Sequence, residues 1–289
     1  MSFATFIETA WADHAQHADE VATRLAGARE LLQSSADIPP FARIVTHVYG
    51  EHLARWSEGV ALLESLRGRS PWDNSEEGAG AVRRGVAVLR YAGRLDASPE
   101  RLSREDHIAV LATASSALLG QREFARSIAA YAEALHRAAE GLPTGSPALR
   151  ALAIGGNNLA AGLEEKTDRD AFESKGMVAA AQGGLRYWRL AGTWLEEERA
   201  EYRLARSLLQ AGDTGDAVNH ALRCVEICCA NNASPFERFF GYAVLAIAHK
   251  RNADEASFAA SRGQALLFLQ QLTPDEKQGC ASDRKELGD

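Results

Sequence analysis

A helix–turn–helix pattern recurs along the chain. Residues 116–134 read SALLGQREFARSIAAYAEA and residues 204–224 read LARSLLQAGDTGDAVNHALRC. In each, an apolar helix runs into a short polar turn, at residues 121–123 and 212–213. The second helix then repeats compact residues at helical spacing: Ser127, Tyr131 and Ala134 in one copy, Ala217, Ala221 and Cys224 in the other. A two-helix unit with small residues at its crossing cannot bury its apolar face alone. It must stack on copies of itself, which makes a solenoid whose core grows along one axis.

The rest of the chain carries helical spacing of Ala, Leu, Arg and Glu and almost no Val/Ile/Thr alternation, so the fold class is all-α. A first helix is expected over 3–32, with Phe6, Ala10, Val21, Leu25 and Ala28 on one stripe. Pro39 and Pro40 suit the first turn of a second helix reaching residue 53. A third follows over 56–66, then a loop over 69–80, a helix over 81–95 and a loop through Pro99. Ser103 and Asp106 read as a capping box with Asp in place of Glu. From there pairs are expected at 107–120/123–140, 148–166/170–191, 193–211/216–231 and 235–251/254–272. Their internal turns fall near Arg122, Thr167, Gly212 and Asn252, spacings of about 45, 45 and 40 residues. The organisation is therefore residues 1–100 with irregular phase, 101–273 as repeats, and a polar tail over 274–289 expected to fray.

A net charge of −7 argues against non-specific nucleic-acid binding, which needs a basic surface. No run of about 18 apolar residues offers a membrane span. The first twenty residues carry acids and histidines rather than a basic stretch before an apolar core, so no signal peptide is expected. Three of the four cysteines, Cys224, Cys228 and Cys229, crowd one helix and do not make a disulfide framework. The expected setting is a reducing cytoplasm.

These residues resemble the tetratricopeptide repeat (TPR), in its longer-helix variety. Gly212-Asp213 and Ala217 match the repeat's turn and its small position, and residues 156–160 (GNNLA) look like the first helices of kinesin-light-chain-type repeats. The likeness runs over about 108–272. Thr167 stands where a turn glycine is usual, and the period exceeds 34 residues, so HEAT-like repeats are the structural alternative. The resemblance implies a right-handed superhelix of antiparallel helix pairs whose first helices line a concave groove. It implies a non-enzymatic scaffold that binds a protein or extended peptide. The alternative is a peptide- or ligand-responsive regulator of the bacterial TPR receptor type.

Residues 194–206 (WLEEERAEYRLAR) form the densest charge run. Ala205, Leu208 and Leu209 make its buried side, leaving Arg199, Tyr202 and Arg206 together on another face. Glu196 and Arg199 are spaced to pair along the helix. Asn157 falls on the equivalent helix one repeat earlier. Asn offers both donor and acceptor to a peptide backbone, and Arg a fork for a carboxylate. These four are the expected partner-binding residues, in a groove read as locally cationic and suited to an acidic segment.

Other constellations point to packing. His14 and His17 share a helical face, but no third ligand stands beside them, so no metal site is expected. Cys224 occupies an alanine-sized position, and its replacement by Ala is expected to be mild. Tyr187, Trp188 and Trp194 are read as fillers between repeats. Gly155 and Gly156 are read as points of close helix approach. No nucleophile–base pair, phosphate loop or paired-carboxylate signature appears, so neither catalysis nor a cofactor is expected.

Overall fold

The computed structural model describes residues 1–67, 76–96 and 100–288, and every element assigned among them is helical. The expected loop over 69–80 falls outside the described residues through residue 75, and so does the second loop at 97–99. Contacts divide the chain into Met1–Gly155 and Gly156–Asp289, and each unit is described by itself.

In the first unit, α1 (Phe3–Asp13) and α2 (Ala18–Gly27) replace the single helix expected over 3–32. The physical reason lies in the stripe. Between Ala10 and Val21 its positions fall on His14 and His17, so a continuous helix would push imidazoles into the core. The chain instead turns at His14–His17, and Phe6, Ala10, Val21 and Leu25 are all buried. Next comes α3 (Ile38–Thr46), which continues as a π-helical turn, His47–His52, rather than as one regular helix. Then follow α4 (Trp56–Glu64), α5 (Glu76–Ala92), α6 (Arg104–Gly120), α7 (Phe124–Ala138) and the start of α8 (Pro147–Glu165). Helix α5 begins earlier than expected and is the hub of this half. It packs on α3, α4 and α6, around Phe41, Ile44, Leu63, Val82 and Leu89. Ser103 caps α6 by accepting from the Asp106 amide at 3.0 Å, but Asp106 itself bonds Arg84 at 2.7 Å, so the box is half formed. Gly155 is a close-approach glycine, since a Cβ there would stand 2.7 Å from the Ala112 carbonyl oxygen.

The second unit holds the end of α8, then α9 (Ala171–Ala191), α10 (Trp194–Ala211), α11 (Thr214–Ala230), α12 (Pro235–Arg251) and α13 (Glu255–Gln270). Two short helices follow, α14 (Pro274–Gly279) and α15 (Ala281–Leu287). Helices α9 to α13 pack in sequence order, each against the next, as a stack of hairpins requires. Asp170, Thr193, Asp213, Ser234, Asp254 and Thr273 each cap the following helix through a side-chain oxygen. Each such cap contributes about 1 kcal/mol. Gly212 closes α10 at φ 86°, the left-handed conformation that glycine adopts without strain.

The tail does not fray. Pro274 and a reciprocal Thr273–Glu276 cap start α14, and Cys280, Asp283 and Leu287 are buried. Its polar composition hid two apolar anchors, and its acidic side chains find cations, as described below.

Ala217, Ala221 and Cys224 lie fully buried on α11, which packs on α10 and α12. Ala217→Leu is expected to overpack that crossing and cost about 1–3 kcal/mol. Thermal unfolding checks this, and an unchanged melting temperature would contradict the register of this hairpin.

Candidate functional site

The second unit carries a cavity of ≈ 700 Å³ built on α10. Two capping devices fix that helix, the Thr193–Glu196 box and Gly212. Leu204, Ala205, Leu208 and Leu209 turn into the core. Three- and four-residue steps then place Arg199, Tyr202, Arg203 and Arg206 together on the cavity wall. Asn157 and Glu164 line it from α8, Phe236, Glu237 and Phe240 from α12, and Asp283 and Glu286 from α15. All four residues singled out in the sequence, Asn157, Arg199, Tyr202 and Arg206, thus line one cavity.

Their partners were not foreseen. Arg199 is acted on by the charge of Glu196, which also caps its own helix. It bonds both oxygens of Glu237, and this bond is the main reason its pKa is raised. Arg203 donates to Glu164 at 2.5 Å, and Ser207 to the same carboxylate at 2.6 Å. Burial nevertheless raises the Glu164 pKa. Tyr202 Oη donates to Asp283 Oδ1 at 2.8 Å, and Arg206 donates to Glu286 Oε1 at 2.6 Å while lying 4.0 Å from Asp283. Burial pushes the Tyr202 hydroxyl well above its usual pKa, with Asp283 adding to it. Burial also raises Asp283, against the opposing pull of Arg206. For Arg206 burial opposes the charge, yet Tyr202, Asp283 and Glu286 hold its pKa above the ordinary value.

The expectation of a cationic groove is therefore corrected. Arg199, Arg203 and Arg206 share the lining with Glu164, Glu165, Glu198, Glu237, Asp283 and Glu286, and each arginine already faces a carboxylate. The missed acids come from elements up to about 80 residues away, beyond the reach of helical spacing. An aromatic wall completes the site. Phe240 meets Tyr202, Phe236 and Phe239 edge to face at centroid distances of 5.6, 5.0 and 5.2 Å.

The chain matches no protein-family model and no curated protein.

Glu198 also lines the cavity but is only 1% exposed. Its Oε1 accepts from Cys224 Sγ at 2.8 Å and from Cys228 Sγ at 3.5 Å, while its buried Oε2 has no hydrogen-bond partner among the described residues. Burial, with the nearby negative charge of Glu237, raises its pKa to about 7. The hydrogen bond with Cys228, then burial and the Glu198 charge, push the Cys224 thiol far above its usual range. Cys224 therefore stays a protonated donor and is not a reactive thiolate. It is more than a small hydrophobe, because removing its sulfur would strip a partner from a buried carboxyl group. Tyr187 and Trp188 are buried and Trp194 is exposed at the rim of α10. His17 is exposed beside Glu20.

Proposed function

We propose that the second unit binds an acidic protein segment in the α10 cavity, and that the chain works as a non-enzymatic, cytoplasmic helical scaffold. In this reading the stack is TPR-like and right-handed, with α8, α10 and α12 lining its concave side. One observation carries it: the chain's own C-terminal helix lies against that wall through Asp283–Tyr202 and Glu286–Arg206. The segment 274–289 has more acids than bases, and it contributes two carboxylates and an apolar anchor, Leu287. A partner presenting the same elements would compete for the same residues. A helix held in cis also favours the regulator alternative, in which exchange of tail for partner is the signal.

Arg206 is the anchor that tests this. Its side chain is 12% exposed, and a hydrogen bond to a charged group in such a place contributes about 1.5–3 kcal/mol. Arg206→Ala should therefore release α15 and raise its opening population roughly tenfold or more. Amide hydrogen exchange across residues 281–287 reads this out, with α11 amides as the unaffected reference. Unchanged protection in α15 would show that the arginine does not hold the tail.

A further inference from the structure

The first unit brings together three histidines that no sequence spacing links: His14 from the turn after α1, and His47 and His52 from the two ends of the π-helical turn. One ligand nitrogen from each lies within 4.8 Å of the others. The rings sit 4.8 Å (His14–His47), 5.1 Å (His14–His52) and 4.8 Å (His47–His52) apart. We propose that His14, His47 and His52 bind a divalent transition metal, zinc by preference, as a three-histidine site with an open fourth position.

The π turn makes the pair. In a regular α-helix, residues five apart lie about 140° apart around the axis and cannot meet. The wider i→i+5 turn lets them stack. Here it sets His47 Nε2 and His52 Nε2 at 3.1 Å. Two nitrogens on a tetrahedral zinc, with bonds of about 2.0–2.1 Å, stand about 3.3–3.4 Å apart. The wide turn is pinned from outside. Gln121 Nε2 donates to the carbonyls of Gly50 and Glu51 at 3.2 and 2.7 Å, so its backbone oxygens are satisfied without a regular helix.

The outer atoms fix which nitrogens are available. His14 Nδ1 lies 2.6 Å from the Trp11 carbonyl oxygen, and His47 Nδ1 lies 2.9 Å from a Glu51 carboxylate oxygen. Both oxygens only accept, so each Nδ1 carries a proton. In the neutral rings the Nε2 atoms of His14 and His47 are then bare lone pairs. Carbonyl and carboxylate partners of this kind hold metal-ligating imidazoles in tautomer and orientation. With no metal, a single proton on His52 Nε2 can bridge to His47. A metal takes the place of that proton, which shifts to His52 Nδ1, and draws the three ligand nitrogens from within 4.8 Å of one another to about 3.3–3.4 Å. Imidazole donors suit zinc, copper, nickel and iron rather than calcium or magnesium. All three rings are half-buried, so an ion can enter and a water can complete its shell.

The test uses the full chain, stripped with a chelator and titrated with zinc, then with cobalt(II) as a visible reporter. One zinc per chain, a raised melting temperature and the absorption of a four-coordinate cobalt with nitrogen ligands are expected from the wild type alone. His14→Gln and His52→Gln should each weaken zinc binding at least tenfold, while the His17→Gln control leaves it unchanged. No stoichiometric binding, a cobalt spectrum with a thiolate charge-transfer band, or zinc affinity indifferent to both substitutions would overturn the assignment. Where a variant folds poorly, the wild-type cobalt spectrum still decides it.

Discussion

Raising the pH from 5 to 8 is expected to cost the wild-type chain about 2 kcal/mol that Glu198→Gln does not lose. Glu198 ionises near the ordinary carboxyl value of 4.5 when unfolded and at about 7 when folded. The folded state thus binds more protons than the unfolded state between those values, and stability falls as pH rises through that window. Below about 4.5 the carboxyl is neutral in both states and contributes no penalty. Above about 7 the full penalty, on the order of 3 kcal/mol, is in place. The cause is visible in the structure: a buried carboxyl group beside Glu237, with one oxygen unpartnered among the described residues, whose hydrogen bonds from two thiols do not offset its burial. Glu164 and Asp283 are raised in the same sense, so some decline persists in the variant. Melting curves of both proteins across this range check it. Parallel curves would mean that Glu198 ionises normally, and that the floor of the cavity is wetter than its burial indicates.

Phe239→Ala is expected to cost about 3–5 kcal/mol. The ring is 0% exposed on α12 and stacks edge to face on Phe240, which faces Tyr202 across the cavity. The deletion should therefore lower the melting temperature and loosen the cavity wall together. Phe236→Ala, on the same helix but partly exposed, should cost much less. Equal effects would mean that Phe239 is not the core anchor of this hairpin.

Much of the second unit was legible in the sequence because its signals are local. The helix starts near Asp170, Thr193, Pro235 and Asp254, the glycine at 212 and the small positions of α11 are each read within a few residues. Helical spacing grouped Arg199, Tyr202 and Arg206 on one face, and the resemblance to TPR repeats, whose first helices face inward, added Asn157. Charge balance was not legible. Glu237, Asp283 and Glu286 reach α10 only through tertiary packing, and the tail's anchors Cys280 and Leu287 are scattered among polar residues. The first unit was harder for a related reason. Its period breaks at His14 and His17 and again at the π turn, where a regular 3.6-residue count assigns His47 and His52 to different faces. The helical pattern exposed His14 beside His17 and concealed the two histidines it meets.

The central claim is that the α10 wall holds an acidic segment, occupied here by the chain's own tail. The most direct measurement is a titration with a labelled peptide of residues 274–289. It is made against the intact chain and against a chain cleaved, while folded, at a protease site introduced before Thr273 and then freed of its tail. A short tether keeps the tail at millimolar effective concentration. The intact chain should therefore bind the peptide at least about tenfold more weakly than the cleaved one, and Arg206→Ala should abolish binding by the cleaved form. Equal affinity for intact and cleaved chains, or a cleaved and still folded chain that ignores the peptide, would contradict it.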